Sequence, residues 1–301
     1  MKIAYVTGAN SALFANTCML YDSFVKHSPP PPQSHEHLWV CDFGFDPRHR
    51  DFFDAIGALL PTPEHLKSFE HPWYHKASIF DFLVDQNYDV VVWLDADMII
   101  LEPITSRIQN LAIEMNMSGQ QVSICPDDVG LNINNYIKHV GKLGHPVNSF
   151  QHNCKRFKTD TARSYLNTGF FIVTSTALLK KWRDIVLKEE VDFLFEQNSF
   201  NVVANVGTVK INTLNPHEWN AHGQRLQTVL TTASIGPTRI IHTTSTGQEH
   251  AEGEFNLPVQ DRNLSGHIKL FKRPDLQNRQ QAHLMHFIEK HFTALVDCSV
   301  L

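Results

Sequence analysis

No apolar run in the sequence approaches the roughly 18 residues of a helical membrane span, so no transmembrane segment is expected. It has no block of lysine or arginine and a net charge of −5, which argues against broad electrostatic binding to nucleic acid. It has no Cys-x-x-Cys pair. Its five cysteines (Cys18, Cys41, Cys125, Cys154 and Cys298) are odd in number and widely spaced. That pattern argues against structural zinc and for reduced thiols in a cytoplasmic setting. The apolar part of Met1-Lys2-Ile3-Ala4-Tyr5-Val6-Thr7 is too short for a secretory signal and reads as a first strand. Internal repeats and composition shifts that would mark a linker are missing. One domain over 1–301, closing in a helical segment about 275–297, is therefore expected. The eighteen histidines include the pairs His35/His37, His71/His75 and His283/His286. None has further partners at a zinc-site spacing, so surface or satisfied histidines are expected there. The last four residues, Cys298-Ser299-Val300-Leu301, fit a prenylation pattern. No polybasic stretch precedes them to supply a second membrane signal. An ordinary C-terminus is preferred, and prenyl anchoring at Cys298 has meaning only in a eukaryotic cell.

With 42% hydrophobic and 19% charged residues the composition is ordinary for a globular chain. Residues 90–101, Val-Val-Val-Trp-Leu-Asp-Ala-Asp-Met-Ile-Ile-Leu, are the feature that carries chemistry. Length and β-branched content predict one buried strand, on which Asp95 and Asp97 share a face. Two like charges in so apolar a run are destabilising unless a cation shares the site. Carboxylate oxygens suit Mg²⁺ or Mn²⁺. Ligands bind outside the carboxyl ends of strands in an open α/β sheet, where such a metal commonly neutralises substrate phosphates. Two structural aspartates capping loop backbone are the bland alternative. An Asp-x-Asp after an apolar strand also opens haloacid-dehalogenase-type phosphatases. That pattern wants this strand first in the chain and Thr or Val where Ile99 stands.

The remaining chain alternates strand and helix signals. Residues 3–7 read as a strand, followed by a loop over 8–11. A helix through Phe14, Cys18, Tyr21 and Val25 follows at 3.6-residue spacing, ended by Pro29 to Pro32. A strand over 38–41, a short helix around Phe52, Phe53 and Ile56, and breaks at Pro61 and Pro63 come next. One helix from Trp73 through Ala77, Phe80 and Val84 carries Lys76. Strands are predicted at 122–125, 165–173, 209–211 and 239–242, and helices at 176–189, from 195, and through Leu284, Phe287, Ile288, His291 and Leu295. Residues 126–160 lack clear periodicity and read as loops and short helices over a site. The alternation predicts an α/β fold with a mostly parallel sheet and helices on both faces.

In this order the stations resemble the metal-dependent glycosyltransferases of the GT-A fold, most of all the glycogenin and bacterial lipopolysaccharide galactosyltransferase group, glycosyltransferase family 8. Tyr5-Val6-Thr7 with Asn10 resembles the first strand and uridine-binding loop. Lys76 matches a basic donor contact, and Leu94-Asp95-Ala96-Asp97 the metal motif. The stretch 166–172, Leu-Asn-Thr-Gly-Phe-Phe-Ile, resembles the Asn-Ala-Gly strand entry beside the donor sugar, with Asn167 and Gly169 in its key positions. Residues 196–201, Glu-Gln-Asn-Ser-Phe-Asn, resemble the Asp-Gln-x-x-x-Asn segment. His242 falls at the third protein metal ligand. Two departures stand out: Glu196 replaces the usual Asp, and the residues after His242 lack the usual Lys-Pro-Trp. Either Lys272 does that phosphate-binding work or it is not done this way.

The resemblance implies transfer of a sugar from a nucleotide-sugar, with a UDP-sugar expected, and retention of anomeric configuration. Mn²⁺ or Mg²⁺ would be held by Asp95, Asp97 and His242. Gln197 and Glu196 are the candidates for the reaction centre, and Thr7, Asn10, Lys76, Asp95, Asn167 and Gly169 for donor contacts. The acceptor class (saccharide, protein or lipid) stays open, and a second copy of the chain is a candidate partner. Simpler roles stand beside each assignment. Glu196 and Gln197 suit a helix N-terminus, Asn167 a turn before Gly169, His242 a core position, and Lys76 a solvated helix face. A non-catalytic nucleotide-sugar or carbohydrate-binding relative also remains in play.

Overall fold

The computed structural model describes residues 1–27, 38–128, 130–223, 226, 237–244 and 250–301, the side chain of residue 85 excepted. The expected stop at Pro29 to Pro32, the His35/His37 pair, and Ser245, Thr246 and Gly247 lie outside the described residues. The strands are β1 (Ile3–Ala9), β2 (Leu38–Asp42), β3 (Leu59–Leu60), β4 (Val90–Leu94), β5 (Met98–Ile100), β6 (Val122–Pro126), β7 (Leu166–Val173), β8 (Ile211–Thr213), β9 (Ile240–His242), β10 (His250–Val259) and β11 (Arg262–Phe271). The helices are α1 (Phe14–His27), α2 (Pro47–Ala55), α3 (Pro72–Ala77), α4 (Ile79–Leu83), α5 (Thr105–Ser118), α6 (Ile133–Lys142), α7 (Asn148–Phe157), α8 (Thr176–Val186), α9 (Phe195–Ala204), α10 (Pro216–Trp219) and α11 (Pro274–Asp297).

Seven strands form a mixed, mostly parallel sheet in the order β3-β2-β1-β4-β7-β6-β8. β1/β2, β2/β3 and β6/β8 are parallel, and β6/β7 is antiparallel. The central strands are apolar on both faces: all residues of β1, β4 and β7 are buried. That is what a sheet covered by helices on both sides requires. None of the described helices is long and apolar enough to cross a membrane.

The chain forms two compact units, Met1–Ile3 with Pro63–Val92 and Ile108–Pro216, and Ala4–Thr62 with Trp93–Arg107 and His217–Leu301. In the first, Trp182, Phe171 and Phe200 make an aromatic cluster with ring centroids 5.0–5.8 Å apart. Each ring contributes about 2–3 kcal/mol by leaving water. Tyr136 of α6 stacks on Tyr165 at 3.6 Å. Residues 126–160 hold two ordered amphipathic helices, α6 and α7, with Ile133, Tyr136, Ile137 and Val140 as the buried face of α6. In the second unit α1 packs with α11 and with the β10/β11 hairpin. Buried Asp22 on α1 accepts hydrogen bonds from His283 Nδ1 (2.7 Å) and His286 Nδ1 (2.5 Å) on α11.

Three local expectations need correction. The strand predicted over 90–101 is two strands. It stops at Leu94, and Asp95 C=O accepts from Met98 N–H at 3.1 Å, closing a turn. β5 then pairs antiparallel with β9 in a separate two-stranded sheet. A continued strand would carry two carboxylates into an apolar layer, whereas the turn lets them leave the pleat. The helix predicted from Trp73 is also broken. Ser78 leaves helical geometry (φ −100°, ψ 18°), and its hydroxyl donates to Tyr74 C=O at 2.8 Å. Last, the hairpin β10/β11, ten residues in each strand, fills a region for which no strand was predicted.

Candidate functional site

In the second unit the turn at residues 95–97 and the β9 strand build one cluster. Met98 lies opposite His242 in the β5/β9 register. Asp97 C=O accepts from both Thr243 N–H (3.1 Å) and Thr243 Oγ1 (2.7 Å). These contacts fix the turn against the residue that follows His242. On the other side of β9, His242 N–H donates to Ala221 C=O at 3.0 Å. That bond sets Asn220, fully buried, beside the imidazole. Asn220 Oδ1 accepts from His242 Nδ1 at 2.9 Å, so Nε2 is the ring atom turned to the carboxylates. It lies 3.1 Å from Asp97 Oδ1 and 3.7 Å from Asp95 Oδ2. Fixing one ring nitrogen by a hydrogen bond is how proteins present the other as a ligand.

Asp95 is oriented separately. Trp93 Nε1–H donates to its Oδ1 at 2.7 Å, and the Trp93 ring stacks on Phe43, 6.0 Å away at 12°. Gly8 admits that Phe43 ring: a Cβ there would lie 2.3 Å from its Cζ. Asp97 is 7% exposed. Burial alone would raise its pKa, but His242 and Lys269 more than offset that and hold the carboxyl well below the usual carboxylate range. The Lys269 ammonium on β11 is 3.1 Å from Asp97 Oδ2. Burial disfavours its charge, but the attraction of Asp97 outweighs this and raises its pKa above the ordinary lysine value.

The donor atoms of Asp95, Asp97 and His242 lie within 4.8 Å of one another. Ligand atoms about 2.1 Å from one octahedral ion stand about 3 Å apart when adjacent. The 3.1 Å from His242 Nε2 to Asp97 Oδ1 matches adjacent positions, and the 3.7 Å to Asp95 Oδ2 lies between that spacing and the about 4.2 Å of opposite ones. Two carboxylates and one imidazole suit Mn²⁺ or Mg²⁺ in donor type. On spacing and donor set the residues fit such an ion.

In the first unit a second polar group gathers around the start of β7. The β6/β7 register jumps from Cys125↔Asn167 to Ile124↔Phe171, so Thr168, Gly169 and Phe170 fall within the irregularity on the β6 side. Asn167 Oδ1 accepts from Gly169 N–H (2.8 Å), and its amide donates to Asp127 Oδ1 (2.6 Å). Thr168 donates from its N–H (3.1 Å) and its hydroxyl (3.3 Å) to Gln197 Oε1 on α9. Lys76 of α3 donates to Thr168 Oγ1 at 3.3 Å and lies 3.6 Å from Glu196 Oε1. Lys76, Glu196 and Gln197 are all buried. A solvated helix position for Lys76 is thereby excluded. Asn201 Oδ1 accepts from Leu166 N–H (2.7 Å) while its Nδ2 donates to Leu166 C=O (2.9 Å) and Gln197 C=O (3.0 Å). The final Asn of the Glu-Gln-x-x-x-Asn segment therefore joins α9 to β7.

Other sequence-derived candidates stand apart or in local roles. Thr7 is fully buried on β1, and its Oγ1 has no hydrogen-bond partner among the described residues. Asn10 caps the short 3-10 turn at Ser11–Leu13, its Oδ1 accepting from Ala12 N–H at 3.2 Å. Lys272 is exposed; Lys269, three residues earlier, is the lysine at Asp97. His71 accepts from Trp73 N–H, and His75 Nε2 donates to Phe69 C=O. All five cysteines are free thiols. Lys269 and Asn220 had no motif to mark them, and Asp127 lay in a stretch read only as irregular.

No protein-family model matches the sequence, and comparison with curated protein sequences gives no match. Solved structures do match. The bifunctional glycosyltransferase WbbM, in its apo form, superposes with a TM-score of 0.55 at 12% identity, over 82% of this chain and 46% of that one. The galactosyltransferase LgtC, solved with donor and acceptor sugar analogues, gives 0.51 at 15% identity, over 80% and 86%. The glycosyltransferase GlyE of Streptococcus pneumoniae TIGR4 gives 0.51 at 14% identity, over 96% and 63%. The chain thus spans less than half of WbbM and under two thirds of GlyE. At these identities the likeness is one of fold, and the fold is the GT-A fold of these glycosyltransferases.

Proposed function

We propose that the protein is a metal-dependent glycosyltransferase. It moves a sugar from a nucleotide-diphosphate sugar, a UDP-sugar in the first instance, to a saccharide, protein or lipid acceptor with retention of configuration. The observation that carries this reading is the convergence of Asp95, Asp97 and His242 at the end of a central strand of a GT-A fold. A nucleoside diphosphate leaves poorly unless its developing charge is neutralised, and a divalent ion at these three side chains supplies that neutralisation. The chain's own part is orientation. Asn220 turns His242 Nε2 toward the carboxylates, Trp93 holds Asp95, and Thr243 holds the turn carrying Asp97.

Thr7 and Asn10 are assigned to the nucleoside, Lys76, Asn167 and Gly169 to the rest of the donor, and Glu196 and Gln197 to the reaction centre. Because Gln197 Oε1 already accepts two bonds from Thr168, its proposed role is electrostatic stabilisation of a cation-like sugar. Glu196, paired with Lys76, is the candidate to face that charge directly. The phosphatase reading finds no support, since β4 follows three other strands.

The test is a panel of nucleotide-sugars with Mn²⁺, read as nucleotide release and as the configuration of any sugar product. Asp97→Asn is expected to lower metal-dependent turnover by roughly 100-fold or more. Inertness toward the whole panel refutes the transferase reading. Turnover that survives Asp97→Asn refutes the metal seat.

A further inference from the structure

The main chain of Lys269 is locked from two directions. Its N–H donates to Asn16 Oδ1 (2.9 Å), and its C=O accepts from Asn16 Nδ2 (3.0 Å) and Gln280 Nε2 (3.2 Å). Phe271, two residues on, donates its N–H to Gln280 Oε1 at 2.7 Å. Asn16 on α1 and Gln280 on α11 are both buried. These amides take the place of a neighbouring strand along the β11 edge. The backbone position thus owes nothing to the lysine side chain, whose flexible four-carbon stem is the part free to turn.

That ammonium has two carboxylates within reach. One is Asp97 Oδ2 at 3.1 Å, the other Glu252 Oε1 at 3.6 Å. Glu252 stands directly opposite Lys269 across the hairpin ladder. A divalent ion at Asp95, Asp97 and His242 and an ammonium on Asp97 are like charges competing for one carboxylate. We propose that Lys269 is a displaceable counter-cation. It neutralises Asp97 when no divalent ion is bound and turns to Glu252 when one enters, so that the hairpin sets the affinity of the seat. This inference rests on the metal seat proposed above. A lysine serving only to hold the hairpin has no need of a second carboxylate, because Asn16 and Gln280 already hold the strand.

The experiment titrates Mn²⁺ alone into the full chain and follows free Mn²⁺ by electron paramagnetic resonance and the protein by thermal melting. Lys269→Met is expected to bind Mn²⁺ at least about tenfold more tightly than wild type, since a charge-assisted hydrogen bond no longer has to be broken. Its melting temperature should also rise more on adding the ion. Glu252→Gln should weaken binding several-fold by removing the second seat, and should change it by less than about twofold in the Lys269→Met background. Unchanged or weaker binding by a folded Lys269→Met overturns the lysine inference and leaves the metal seat intact. Should Lys269→Met not fold, Glu252→Gln decides: several-fold weakening supports the inference and unchanged affinity overturns it. Absence of Mn²⁺ binding in wild type, or equal binding by Asp97→Asn, removes the metal seat and this inference with it.

Discussion

Replacing Asn201 by Leu tests whether the Glu-Gln-x-x-x-Asn segment is held for architecture at its last residue. The Asn201 carboxamide is fully buried and pairs with both the N–H and the C=O of Leu166, as a neighbouring strand would. Leucine is close in size, so the cavity contribution is small and the loss is one of hydrogen bonding. It leaves Leu166 N–H without that acceptor and removes a donor from Leu166 C=O and from Gln197 C=O. A buried polar group stripped of its partner costs about 1–3 kcal/mol, with carbonyls at the low end because each keeps a second lone pair. The sum is roughly 2–5 kcal/mol, or about 5–15 °C in melting temperature for a unit of this size. Asn201→Asp keeps the acceptor for Leu166 N–H and loses the donors, so a charge-bearing isostere should also destabilise. Urea unfolding followed by tryptophan fluorescence reads both. A loss below about 1 kcal/mol for Asn201→Leu refutes the architectural role.

Asn220→Leu should leave the fold in place while weakening Mn²⁺ binding roughly 10–100-fold, the range for removing the group that orients a ligand histidine. Calorimetric titration checks this, and unchanged affinity means that another contact orients His242. Asp22→Asn probes the junction of α1 with α11. Burial raises the Asp22 pKa, but hydrogen bonds from His283 and His286 outweigh it and leave the pKa lowered. A folded-state value below the unfolded one gives stability that is present above about pH 4 and lost as pH falls through the folded value. Denaturation series should therefore show a wild-type advantage that is level above about pH 5 and closes below about pH 4. A gap that stays constant to pH 2.5 contradicts the linkage.

What the sequence disclosed and what it hid divide along a physical line. Asp95 and Asp97 were legible because two carboxylates after a run of buried β-branched residues conflict with burial, and only a cation or a turn resolves the conflict. Both resolutions are present: the turn ends β4 at Leu94, and the ammonium of Lys269 meets Asp97. The strand–helix alternation was legible for a similar reason, since a sheet covered on both faces needs uninterrupted apolar strands. Lys269, Asn220 and Asn16 were not legible, and neither was the role of Asn201. Each acts by a single polar side chain aimed at a group between 22 and 253 residues away, and no local periodicity encodes such a partner. The two clamps show the cost of that blindness. Asn16 holds Lys269 and Asn201 holds Leu166 by the same reciprocal pair of amide bonds. A resemblance at residues 196–201 draws attention to Asn201. No resemblance draws attention to Asn16, although its geometry is the same. Reciprocal bonding to one backbone residue is a structural job for a carboxamide, since it uses both ends of the group. The metal-side reading therefore leans on Asp95, Asp97 and His242, whose atoms converge on one point, and Asn201 belongs with Asn16 among the residues that hold strands in place.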